Sequence, residues 1–86
     1  MSQIIHLPPG EQMPELPEDE PWVIVEAGDD ARFFGTGAAF KPSGESVFYA
    51  SLAESDGSLE SAIETARNWA AKYNVPRVWV QAHPEG

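Results

Sequence analysis

The chain has 86 residues, no cysteine and a formal net charge of −9 at pH 7. That length suits one small domain, which hides roughly 60–65% of its unfolded surface, enough for a single modest core. Disulfides, thiolate chemistry and Cys-based zinc sites are excluded, and no apolar run approaches the ~20 residues of a membrane span.

The leading segment MSQIIHLPPG has no basic region and only a short apolar run, unlike a signal peptide. The expectation is a cytoplasmic protein. Residues 1–21 carry five of the eight prolines, Pro8, Pro9, Pro14, Pro17 and Pro21, interleaved with glutamates. Proline at this density rules out a helix and a central strand and leaves extended backbone, with Ile4 to Leu7 suited to a short edge strand before Pro8. Charge is unevenly shared. Residues 1–30 hold Glu11, Glu15, Glu18, Asp19, Glu20, Glu26, Asp29 and Asp30 without a Lys or Arg, a sum of −8, whereas residues 31–86 sum to −1. The arm therefore either drapes its few apolar residues over the domain or docks on a basic partner, with Glu18, Asp19 and Glu20 as the contact.

WVIVEA, Trp22 to Ala27, is β-branched and aromatic and reads as a strand. Gly28-Asp29-Asp30 suits a hairpin turn, because Gly and Asp accept positive φ. Arg32 to Phe40 is the returning strand, in which Gly35 and Gly37 mark a bulge or a close approach by another backbone. Lys41 to Ser46 is a turn built on Pro42 and Gly44. Val47 to Leu52 is a third strand, and residues 53–57 lead on.

The strongest local signal runs from Ser58 to Gln81. Leu59, Ala62, Ile63, Ala66, Trp69, Ala70 and Tyr73 follow the i, i+3, i+4, i+7 spacing of a helix with one buried face. Ser58 caps its start, Glu60 and Glu64 against Arg67 and Lys72 complement its dipole, and Asn74 with Pro76 stops it. Arg77 to Gln81 then alternates as a strand, with Val78 and Val80 on one side and Trp79 on the other.

The predicted fold is α+β: a single mixed sheet of about four strands, β-β-β-α-β, with one helix on one face. Its parts are an extended acidic arm at 1–21, a domain at 22–82 and a tail at 83–86. The strand after the helix is expected beside Trp22–Ala27 and parallel to it.

Reactive chemistry finds little support. Gly35-Thr36-Gly37 lies inside a strand with no helix after it, so its glycines read as structural and not as a phosphate loop. His6 and His83 flank prolines near the two ends, and no spacing sets either beside an activated serine. The acidic runs lack the alternation of a calcium loop. No cofactor, metal or catalytic residue is assigned.

The aromatics say more. If Val78 and Val80 face the helix, Trp79 faces away, and Trp22, Phe33, Phe34, Phe48 and Tyr49 are candidates to join it. Rings facing water as a contiguous patch call for a cover: the proline arm, a second copy or another partner. From Trp22 to Tyr73 the layout resembles the three-stranded-sheet-plus-helix domains of integrase arm-binding and plant ethylene-response-factor proteins. That resemblance is architectural. Those domains read the major groove with Arg and Trp on the sheet, and this chain offers only Arg32 and Lys41 near its hairpins. Five basic residues in all cannot build a phosphate track, so direct nucleic-acid binding is not expected.

Three functional readings follow. The first is a small acidic non-catalytic interaction module that binds another protein or a second copy of itself. It would act through an edge strand or the aromatic face of Trp22, Phe34, Tyr49 and Trp79. The second is an acidic decoy whose arm occupies a basic, nucleic-acid-binding surface of a partner. The third is a small carboxylate-based enzyme, which a domain this size rarely accommodates.

Overall fold

The turns set the central meander. Gly44 adopts φ +92°, which a glycine supplies without steric cost. Its N–H donates to the Lys41 carbonyl, and the Lys41 N–H to the Glu45 carbonyl, each at 2.8 Å. The computed structural model describes residues 3–17, 19–28, 32–50 and 58–83. Asp29 and Asp30 of the preceding turn lie outside these residues, but the Gly28 N–H reaches the Arg32 carbonyl at 2.7 Å and closes that hairpin too.

The described elements are β1 (Gln3–His6), β2 (Trp22–Ala27), β3 (Phe33–Phe40), β4 (Ser46–Ala50), α1 (Leu59–Lys72) and β5 (Arg77–Gln81). They form an α+β fold in which one mixed sheet, ordered β1-β5-β2-β3-β4, packs against the helix. β2, β3 and β4 are antiparallel neighbours, and β5 runs parallel to both β1 and β2. The strand after the helix thus lies beside β2, as its sequence position suggests. Residues 51–57, which hold the expected end of β4 and its loop, lie outside the described residues.

The helix stands where its signals put it. The Ser58 side chain accepts from the Ser61 N–H at 3.4 Å. At the other end Asn74 takes φ 57°, and the Val75 N–H turns back to the Ala70 carbonyl at 2.8 Å, satisfying a carbonyl the helix leaves open. The contact surface is made of small residues. Ala62, Ala66 and Ala70 share the core with Val23, Val25, Ala39, Val75, Val78 and Val80. Larger rings sit at the margin, where Trp69 meets Tyr49 and Tyr73 with centroids 5.1 Å away in each case.

Two glycines on β3 serve this side. A Cβ on Gly35 would come within 2.5 Å of the Tyr49 ring, and one on Gly37 within 2.5 Å of the Trp22 carbonyl oxygen. The close backbone approach expected of these glycines is therefore present at Gly37; at Gly35 the space goes to a side chain.

The sheet has five strands where about four were expected. The arm supplies the extra one, β1, with Gln3 opposite Arg77 and His6 opposite Val80. β1 and β2 both run parallel to β5, one on each side of it, so the chain between them must travel back along the sheet. The described part of this link, 7–17 and 19–21, runs across the face opposite the helix. A proline-rich segment is suited to the task, because a crossover needs no ladder hydrogen bonds of its own.

Candidate functional site

The face away from the helix is assembled by strand register. One row runs Ala50, Thr36, Ile24, Trp79 and Ile5 from β4 to β1; a second joins Phe48, Ala38 and Trp22; a third joins Phe34, Glu26 and Gln81. Trp79 thus lies on the side of the sheet away from Trp69, as alternation requires.

Two expectations for this face need correction. Tyr49 pairs with Gly37, which pairs with core residue Val23, so its ring turns to the helix and stacks on Trp69. Phe48 and Tyr49 are neighbours in one strand, and alternation allows only one of them on each side. Phe33 joins the helix side for the same reason and packs against the core. Trp79 has the expected direction but is only 8% exposed, so in this form it offers no surface to a partner.

The arm is the described segment that covers Trp79, and Gln81 holds it there. This side chain is 3% exposed and makes three hydrogen bonds. Its Nε2 donates to the Pro8 carbonyl at 2.9 Å and to the Glu11 carbonyl, while its Oε1 accepts from the His83 N–H at 2.9 Å. Beyond the strand, the Gly10 N–H donates to the His83 carbonyl at 2.8 Å. Sequence reading places Gln81 on the outer side of β5 without a role. A buried amide has four hydrogen-bonding positions, and carbonyls of a proline-rich arm lack ladder partners, so the match is intelligible only once the two are side by side.

Where the arm bridges β5 and β2 it leaves a cleft of about 300 Å³. Glu11, Gln12 and Met13 form its wall, and Trp22, Ile24, Glu26, Thr36 and Gln81 line the rest. A second hollow of about 530 Å³ continues along Gln12–Pro17 and shares Trp22. Of the three acids expected to act as a contact, Asp19 is exposed, Glu20 pairs with Arg77 at 3.4 Å, and Glu18 lies outside the described residues.

The cover stops at β3. Along β4 the helix-side residues Val47 and Tyr49 are half-buried, whereas Ser46, Phe48 and Ala50 are exposed. Phe48 is 79% exposed and Phe40, on the same face of β3, is 37% exposed. Phe40 was not singled out from sequence; its even spacing from Phe34 along β3 was the available signal. Phe34 and Trp22 are half-buried between the covered and open parts. The outer edge of β4 has no strand beside it among the described residues.

Among the described residues no group of three or more His, Asp or Glu side chains is placed to hold a metal ion, and no helix is long and apolar enough to cross a membrane. His6 and His83 are both exposed. No family model matches the chain, nor does any curated protein or solved structure, so the reading of this face rests on its own geometry.

Proposed function

We propose that the chain is a small acidic, non-catalytic protein–protein interaction module of the cytoplasm. It works through the open part of the outer sheet face and the adjoining β4 edge. The observation that carries this reading is Phe48, 79% exposed in the middle of an edge strand, with Phe40 beside it. An edge strand displays a row of backbone donors and acceptors ready to pair. Rings on one side of it supply the apolar anchors that an added strand uses for specificity. The bound segment would be extended, with apolar residues at alternate positions, and is either a partner's strand or β4 of a second copy. Trp22 and Phe34 would meet its inner margin.

The test combines light scattering with selection from a displayed random-peptide library, using F48D for counter-selection. The expected result is enrichment of alternating apolar sequences on the wild-type protein, or a dimer that F48D returns to monomer. A monomer that enriches nothing beyond what F48D retains defeats the proposal.

A further inference from the structure

We infer that the cleft beneath the arm is a binding site for an arginine or lysine side chain presented on an extended basic peptide. The site lies on the covered part of the sheet and does not depend on the role proposed for Phe48.

Shape and charge carry the inference together. The cleft is open, about 300 Å³ in volume, at the small end of ligand pockets and with room for one long side chain. Its floor is set by register. Trp22, Ile24 and Glu26 alternate along β2 and so share the outer face, with Thr36 opposite Ile24. From Trp22 to Glu26 this floor spans about 13 Å at the usual strand rise. An indole lies at one end, an aliphatic side chain in the middle and a carboxylate at the other end.

Glu11 adds a second acid at the wall, and both N–H groups of the Gln81 amide are already taken by carbonyls of the arm. Among the described residues no lysine, arginine or histidine lines the cleft or the hollow that continues it past Trp22, where Glu15 adds a third carboxylate. A phosphate or carboxylate ligand would meet only like charge there. A purely apolar ligand would leave Glu26 facing it without compensation.

An arginine or lysine side chain answers the acidic and aliphatic parts of this lining. Its head donates to the carboxylates of Glu26 and Glu11, its aliphatic stem packs over Ile24 and Met13, and the Trp22 indole at the far end is left to a neighbouring residue of the peptide. The hollow along Gln12–Pro17 gives the rest of an extended peptide a path beside the arm. Partners with an exposed basic segment are the class this selects.

The experiment is a heteronuclear NMR titration of the full chain. Its ligands are a capped pentapeptide with arginine at two alternate positions, the matching glutamate peptide, and free arginine amide. The arginine peptide should give saturable shifts at the Trp22 indole N–H and the Glu26 and Thr36 amides. Affinity should fall about fivefold in Glu26→Gln and again on raising the salt, as expected when one charge-assisted contact is lost. The glutamate peptide should shift nothing, and arginine amide should bind more weakly than the peptide.

Glu11→Gln, at an exposed position, repeats the test should Glu26→Gln disturb the fold. Binding that is indifferent to both neutralisations, equal binding of the glutamate peptide, or no shift at all overturns the inference. F48D should leave this titration unchanged, so failure here is separable from failure of the edge-strand proposal.

Discussion

β5 and β4 belong to one sheet and present the same alternation, yet they meet different surroundings. On β5, Val78 and Val80 are buried against the helix side and Trp79 and Gln81 are buried on the other. On β4 the helix side is half-buried and the outer side is open. Connectivity accounts for the contrast. The link from β1 to β2 jumps over β5 alone, so it roofs the outer face only around β5 and β2. The link from β4 to β5 runs through α1 on the opposite face and passes β3 and β2. Among the described residues each face is covered where a crossover lies, and the outer face of β3–β4 has none.

The largest expected effect tests the covered side. Trp79→Ala should cost about 3–5 kcal/mol in urea denaturation, because a fully packed indole leaves a cavity. Phe48→Ala should stay within about 0.5 kcal/mol. Equal losses at the two positions would erase the contrast between β5 and β4.

Next in size is the arm's attachment. Gln81→Leu strands the Glu11 carbonyl and the His83 N–H, while the Pro8 carbonyl keeps the Glu11 N–H at 3.0 Å, and should cost about 1–3 kcal/mol. The same variant should speed hydrogen exchange at Gly10, whose N–H donates to the His83 carbonyl, ahead of exchange in α1. Unchanged exchange there would mean that the arm is held by something other than this amide.

Gly37→Ala should cost a comparable 1–3 kcal/mol, roughly, because the new methyl meets backbone that cannot step aside. Gly35→Ala presses on the edge of a ring that can tilt and should cost less. A reversed order in thermal melts would show that Tyr49 is the more rigid neighbour.

The smallest effect is expected at the exposed ion pair Arg77–Glu20. Arg77→Ala should change stability by no more than about 0.5 kcal/mol and lose even that at high salt. A larger loss would mark this pair as a second anchor of the arm.

Several features were legible in the amino-acid string because they are local. The helix from Ser58 to Asn74, its stop before Pro76, the turn at Gly44 and the strand after the helix each follow from spacing, capping or backbone preference within a few residues. Trp79 facing away from Trp69 follows from alternation alone. Alternation has no origin of its own, however. In VFYASL it left Phe48 and Tyr49 equally eligible for the outer face, and only pairing of Tyr49 with Gly37 settles which one turns to the helix. The strand count came up short at the arm: Ile4 to Leu7 reads as suited to a short edge strand but stands outside the count of about four, and the strand at Gln3–His6 pairs only because the flank of β5 is open to it.

By itself the order of residues determined the elements, the single helix-bearing face and the division of charge between arm and domain, since each depends on chemistry within a turn or two. The tertiary structure decided which part of the outer face is roofed. That depends on which strands a crossover connects, and strand order is set by long-range pairing that no local signal encodes. The buried amide of Gln81 and the exposed ring of Phe48 are the two ends of that decision.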